Sequence, residues 1–410
     1  MKNFLFLILV LGLVGCGGGS GGNDGGKIVA IDIKNASSLY ITGGASASSV
    51  NVNETGDVSK LFKITPEGYV HEVTYTDENN NDVTNTVTPT AVYNVNDSYV
   101  LISFDIDSYL VRKSDGAAYI MNGAIGSVVN NFKNSKPIMP DLNGNIYYYG
   151  SDVVYKISNI DTDPVSKIVT PETDRIDSFT IDNLGNIFYS AMAGDDNYVT
   201  RIVKGNGGLT NLNPYYSRAF WTALDGKGYY LEDTGYGEMQ VVQVNIDSNY
   251  NVTKSNYGPV VSDLYFSTGT SFLFNFSTKT IIVDANDLNL LEVYNASSTP
   301  IITDLGGTFD SISTVAASSD YYYVAGTNTA SNPVLKKCSP STHTCSDLLT
   351  PGKYDIYTMV VSDTNEVTFN ALRMSDGAKI MAKTSNGTVT VLDATLNNQV
   401  TMLERVGGNE

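Results

Sequence analysis

Residues Asp182–Lys204 read DNLGNIFYSAMAGDDNYVTRIVK, and the plan of the whole chain is contained in them. Asp182 is followed by Gly185 and Asn186, after which Ile187, Phe188 and Tyr189 open a run of β-branched and aromatic residues. An aspartate side chain bonds the backbone two residues on, and glycine takes positive φ at no steric cost. The segment therefore reads as a tight turn feeding a strand, with a second strand over Tyr198–Lys204 after the polar gap GDDN.

The same order of residues recurs along the chain. DLNGNIYYYG begins at 141 and DGKGYYLED at 225. Weaker equivalents begin at 94 (NVNDSYVLI), 267 (STGTSFLF), 317 (ASSDYYYVA) and 363 (DTNEVTF), and the most degenerate near 34 (KNASSLYI). Each is followed by further strand-like runs, such as MQVVQVN, PVLKKCS and AKIMAKT, and preceded by one, such as SFTI or YTMVV. Starts lie 41 to 60 residues apart. Four strands in a period of about 40 to 50 residues are the mark of a β-propeller blade. The expected fold is all-β: a propeller of eight blades over residues 28 to 405, with seven as the runner-up because the first unit is long and irregular.

Propellers usually close by having one terminus supply a strand to the other's blade. The candidates here are the strand at 28–33, in KIVAIDI, and QVTMLER at 399–405. A sandwich fits less well, since its strands would not recur in fours.

The motif D-x-x-G-N-[IV]-[YF] resembles the repeat of NHL-type propellers and related bacterial surface propellers. The match is best in Asp182–Lys204, where Asn197, Arg201 and Ile202 resemble that family's second strand. The motif's role is the turn itself, so none of its aspartates is assigned to chemistry.

The N-terminal segment has a different character. Lys2 precedes an apolar run, Phe4–Val14, that is too short to span a hydrocarbon core, which takes about 20 residues, and reads as a signal peptide. Leu13-Val14-Gly15-Cys16 resembles the lipobox of bacterial lipoproteins, which implies cleavage after residue 15 and acylation of the Cys16 thiol. Residues 17–26 contain only Gly, Ser, Asn and Asp, a flexible coil reaching on the order of 20 Å. In that family an Asp after the lipidated cysteine goes with inner-membrane retention; Gly17 stands there instead, which implies the outer membrane. The expected organisation is a signal peptide at 1–15, a lipidated tether at 16–26, one propeller at 27–406 and a tail at 407–410.

A formal net charge of −18 argues against nucleic acid, whose phosphates are bound by Lys and Arg. With Cys16 acylated, Cys338 and Cys345 remain, and in an oxidising compartment they read as a disulfide pinning a hairpin. A zinc site with His343 is the rival, but zinc takes four ligands and the only other histidine is His71.

Within a blade the D-x-x-G turns and the Cys338–Cys345 hairpin share one face. The opposite face carries the remaining connectors, where variable loops on a rigid scaffold bind ligands. Its richest segment is NPYYSRAFW, with Tyr215, Tyr216, Arg218 and the single tryptophan, Trp221; Tyr236, Tyr257, Tyr354 and Tyr357 are candidates to lie nearby. Aromatics with an arginine are the composition of binding hot spots. Packing between blades is the competing role, above all for Trp221.

Two histidines, neither near a serine and a carboxylate, give no triad, and no cofactor is expected. The oxygen-rich stretches TDENNND (76–82) and GDDN (194–197) lack the spacing of a calcium loop and read as hairpin tips. The expected function is a non-catalytic module, anchored to the outer membrane by lipid, that binds a protein or glycan. A periplasmic scaffold in envelope assembly and a propeller enzyme of the lactonase or lyase kind are the alternatives.

Overall fold

The computed structural model describes residues 27–407 except 44–58, 106, 122–136, 142, 151–152, 164, 171–173, 183, 194–197, 214–216, 223–226, 236–237, 263–271, 276–278, 285–288, 295–300, 305–308, 340, 343, 395 and 397–399. Of the side chains from 258 to 308, and of several between 171 and 239, nothing further is said. The strands assemble into eight four-stranded antiparallel sheets and one two-stranded sheet. The fold is an eight-bladed β-propeller.

Seven blades are built in chain order, each from four successive strands, beginning with Pro89–Asn94, Tyr99–Phe104, Ser108–Arg112 and Ala118–Ile120 in blade 2. Blade 1 is composite: Val400–Arg405 pairs with Ser38–Thr42, which pairs in turn with Lys60–Ile64 and that strand with Val70–Glu72. The first strands of neighbouring blades approach one another, as Val400–Arg405 does both Tyr354–Val361 of blade 8 and Pro89–Asn94 of blade 2. First strands therefore line the axis and fourth strands form the rim. Burial agrees: Ser38–Thr42 and Ile146–Gly150, both second strands, are buried throughout, while the rim strand Lys167–Ile168 is exposed.

The expected role of residues 28–33 in closure is corrected. Only Val400–Arg405 enters the closing blade; Ile28–Ile31 pairs with Tyr75–Asp77 outside the four strands of blade 1. It also touches blade 2, where Ile31 N donates to Gly116 O at 2.9 Å. The reason is packing. Ile28, Ile31 and Ile33 are at most 2% exposed and join one core cluster with Leu39 and Leu61 of blade 1 and Val100 and Val111 of blade 2. The innermost slot of blade 1 holds one strand, and the N-terminal strand staples the seam beside it. Its partner strand, Tyr75–Asp77, is inserted between the fourth strand of blade 1 and the first of blade 2, which adds to the length of the first unit.

The D-x-x-G-N turn is a local device. Asp141 Oδ1 accepts from Asn143 N and Asn145 N, and its Oδ2 from Asn145 Nδ2, while Gly144 sits at φ 79°. Asp182 repeats this with Leu184 and Asn186, and Gly185 at φ 75°. Asp77 accepts the same bonds from Asn79 and Asn81, and Asp247 from Asn249 and Asn251; in place of glycine stand Asn80 at φ 64° and Tyr250 at φ 63°. In the stretch 76–82, the Asp77 carboxylate is thus occupied by N–H donors, as a hairpin tip requires. The other oxygen-rich stretch, 194–197, lies outside the described residues.

Cys338 and Cys345 face one another across the third and fourth strands of blade 7 and form a disulfide. No helix among the described residues is long and apolar enough to cross a membrane.

Candidate functional site

Strand alternation predicts buried side chains two residues apart. The innermost strands break this rule in one repeated way. In Tyr354–Val361 the buried residues are Ile356, Met359 and Val361; in Pro89–Asn94 they are Pro89, Val92 and Asn94. A gap of three and then of two marks one extra residue, and the ladders locate it.

In blade 8, Ile356 pairs with Ala371 and Thr358 with Asn370, so Tyr357 has no partner in the ladder. The same bulge leaves out Thr401 in blade 1, Thr90 in blade 2, Asp177 in blade 4 and Ser313 in blade 7. Blade 5 has a wider irregularity, with Arg218 and Ala219 between the paired residues Ser217 and Phe220. In blades 1, 4, 7 and 8 the bulge falls opposite the fourth and fifth residues of the second strand, as at Ser190 and Ala191, Ala325 and Gly326, and Asn370 and Ala371, and in blade 2 opposite the fifth and sixth, Ser103 and Phe104. In blade 3 the described first strand stops short of that level, and in blade 6 Leu273 and Phe272 pair with Ile282 and Val283, the fourth and fifth residues, without a bulge. Four residues of strand from the D-x-x-G turns are about 13 Å, so the bulges ring the channel near its other mouth.

The backbone approaches closely here. A Cβ on Gly326 would lie 1.9 Å from Ser311 O, so only glycine fits. A bulge also interrupts ladder bonds, and hydroxyls take their place. Ser313 Oγ bonds Ala325 O and, across the seam, Ile356 O of blade 8, both at 3.1 Å. Thr401 Oγ1 bonds the equivalent carbonyl, Ile41 O, at 3.3 Å. A hydroxyl at the bulge thus has a structural use.

That account does not extend to Asp177, Arg218 or Tyr357. An ionised aspartate cannot donate, and neither guanidinium nor phenol is needed to close a carbonyl. Asp177 and Arg218, 41 positions apart in the chain, hold bulge positions on the innermost strands of adjacent blades 4 and 5. Across the ring, burial and then the neighbouring Asp355 charge hold the Tyr357 phenol above its ordinary pKa. At the blade 1 to blade 2 seam, Glu404 Oε1 accepts from Asn94 N at 2.9 Å; burial and then this carboxylate raise Tyr93.

The sequence-predicted ligand face is distributed as follows. Arg218 and Trp221 lie on the innermost strand Ser217–Thr222, where Arg218 joins the bulge level and Trp221 pairs with Tyr229. Tyr215, Tyr216 and Tyr236 lie outside the described residues. Tyr257 is buried on the fourth strand of blade 5, edge-on to the Tyr229 ring at 5.5 Å. Tyr354 and Tyr357 are on the innermost strand of blade 8, with Tyr354 edge-on to Phe369. Sequence reading missed Asp177, Ser313 and Thr401; the signal was the gap of three within an otherwise alternating strand.

No family model matches the chain, and no curated protein does. Among solved structures it is similar to a puromycin hydrolase, at 14% identity and a TM-score of 0.47 over 75% of this chain and 53% of that one. A puromycin-hydrolyzing peptidase of Mycobacterium tuberculosis aligns at 11% identity and a TM-score of 0.49, over 76% of this chain and 55% of that one. A chain of a mitotic checkpoint complex aligns at 11% identity and a TM-score of 0.39, over 66% of this chain and 80% of that one. The chain spans about half the length of the two hydrolytic enzymes. The likeness is one of fold. The expectation of a non-catalytic binding module is corrected: the first of these similar structures are hydrolytic enzymes, and their likeness to this chain is one of fold.

Proposed function

We propose that the chain is an exported lipoprotein whose propeller is an enzyme, with its chemistry at the bulge ring of the channel. The observation that carries the catalytic reading is the ladder position of Asp177 and Arg218: an acid and a cation are each left out of the pairing by a bulge on the innermost strands of neighbouring blades. Bulges re-aim side chains and recur beside active sites. The reaction class is hydrolysis of a polar ester, lactone or amide. Asp177 takes a proton from water as the water oxygen bonds the carbonyl carbon, Arg218 steadies the negative charge that develops on the carbonyl oxygen, and the bond to the leaving oxygen or nitrogen then breaks with the proton returned to it from Asp177.

The test is turnover by the detergent-solubilised full chain on a panel of esters, lactones and aminoacyl amides. Asp177→Asn and Arg218→Ala are each expected to lower kcat about 100-fold or more while unfolding as the parent does. No turnover across the panel, or turnover indifferent to both substitutions, would overturn the reading.

Anchoring rests on Leu13–Cys16, the glycine-rich stretch after it and a disulfide suited to an oxidising compartment. The partner is then the membrane, reached through acyl chains on Cys16, with the outer membrane favoured by Gly17. Cys16→Ser is expected to move the protein from the membrane pellet to the soluble fraction; a variant that stays in the pellet would refute acylation. Protease treatment of intact and lysed cells gives the orientation.

A further inference from the structure

Blade 8, across the ring from blade 4, carries a second group of polar side chains that the fold does not use. Asn370, on its second strand Val367–Arg373, is 1% exposed. Its Nδ2 donates to Ile380 O at 3.1 Å, but its Oδ1 is buried with no partner. In blades 1 and 7 the same ladder position holds Ile41 and Ala325, so the blade itself does not call for an amide there. A buried acceptor left unbonded is destabilising, and it points to a donor that arrives from outside.

The bulge sets the neighbours of Asn370. Thr358 pairs with it, and Tyr357 is the extra residue beside Thr358, so both stand opposite the amide. Ile356 and Met359 pack with Tyr323 and Leu335 of blade 7, whereas Val360, and Met381 across the ladder from Asn370, pack with Tyr40, Val400 and Leu403 of blade 1. Alternation on either side of the bulge therefore puts Asp355, Tyr357, Thr358 and Asn370 on the face toward blade 1. Burial and then the Asp355 charge raise the Tyr357 phenol, which makes the carboxylate its neighbour. The carboxamide is planar, so with Nδ2 drawn to the third strand, Oδ1 is turned inward to the bulge. Asp355, Tyr357 and Thr358 are half-buried and make no hydrogen bond or ion pair among the described residues.

We infer that this corner of the channel binds the ammonium group of a small primary amine, with Asp355 as the opposite charge, Asn370 Oδ1 and the Thr358 hydroxyl as acceptors, and Tyr357 against the adjoining carbon. Asp355 is the one charge in the group, and the other polar atoms can all accept. The match is a ligand with a single positive charge and several N–H donors. An anion would meet Asp355 unmatched, and calcium is usually held by more than one carboxylate. An aromatic ring beside the acid favours an organic cation.

The probes are benzylamine, benzyl alcohol, which lacks the charge, and benzyltrimethylammonium, which keeps the charge and has no N–H. A chain of net charge −18 attracts any cation, and the third probe measures that background. Titrated by calorimetry against the detergent-solubilised full chain, benzylamine is expected to raise Tm and to bind at least about tenfold more tightly than either analogue. Asp355→Asn and Asn370→Leu should each weaken benzylamine about tenfold or more, and Asn370→Leu should leave benzyltrimethylammonium unchanged. Asp355 makes no bond in the fold, so its variant keeps the test clear of folding defects if Asn370→Leu does not fold. Absence of a benzylamine effect, equal binding of benzyltrimethylammonium, or binding unchanged in Asp355→Asn would each overturn the inference. Binding is read without turnover, so the outcome is separate from that of Asp177 and Arg218 on blades 4 and 5.

Discussion

Arg405 of the closing strand holds Asp363 of blade 8 with two nitrogens, Nη1 donating to Oδ1 at 2.9 Å and Nη2 to Oδ2. The same guanidinium donates from Nη1 to Val361 O at 3.1 Å and from Nε to Gly407 O at 2.9 Å. One side chain therefore ties the last strand to the preceding blade and to its own exit.

The two partners should not be equivalent in a stability experiment. Asp363 is about half exposed, so Asp363→Asn is expected to cost only about 0.5–1 kcal/mol, and less at high salt. Arg405→Ala also strips two carbonyls of their donor and is expected to cost about 2 kcal/mol. Urea unfolding at low and high salt checks both; equal losses would mean that the backbone bonds contribute nothing.

At the bulges, Ser313 carries two bonds and Thr401 one. Ser313→Ala should destabilise by about 1–2 kcal/mol, and Thr401→Val by about 1 kcal/mol or less. The ranking, read from denaturation midpoints at constant m, is the check. If Ser313→Ala were neutral, the hydroxyl would not be replacing ladder bonds.

Asp182 should give a pH dependence opposite in sign to that of its counterparts. It is 2% exposed, and burial raises its carboxyl pKa despite the bonds from Asn186 and Leu184. A raised folded-state pKa means that its stabilising contribution is full below the unfolded value, about 3.9, and is lost as pH rises through the folded value. Asp77 and Asp247, held low chiefly by Asn81 and Asn251, contribute above the unfolded value and lose that contribution as pH falls. The stability of the parent relative to Asp182→Asn should therefore decline as pH rises above the unfolded carboxylate value. A difference that grew with pH would reverse the assignment.

The Cys338–Cys345 bridge closes a short loop, with a sequence separation of 7. Loop-closure entropy for so few residues is about 2–3 kcal/mol, so the Cys338→Ala, Cys345→Ala double variant should lose about that much. Reducing agent should lower the parent's stability to the variant's level and leave the variant unchanged. A parent indifferent to reductant would show that the bridge adds nothing to stability.

The repeat was legible because its causes are local. Asp141 and Asp182 bond backbone groups within four residues of themselves, and Gly144 and Gly185 supply the positive φ, so the motif and the turn are one. Where Asn80 or Tyr250 takes the glycine's place, the same turn forms with a weaker signature, and sequence reading passes over it. The Cys338 and Cys345 pairing was legible for the same reason, since two strands separated by a short turn bring them opposite one another. The bulges left a trace, but the gap of three in IYTMVV is short enough to pass for a strand end.

By itself, then, the sequence determined what short-range chemistry controls: all-β structure, four strands to a repeat, the turns and the hairpin disulfide. Tertiary structure decided which strand closes the ring. Residues 28–33 and 399–405 are equally strand-like, and only the buried seam among Ile31, Leu39 and Val100 sends one to the rim and the other to the axis. It also decided the neighbours of Arg218. A residue's level on a propeller strand depends on register against its own blade, and its neighbours depend on the blade beside it. Both are set by packing between segments far apart in the chain, which no local pattern encodes.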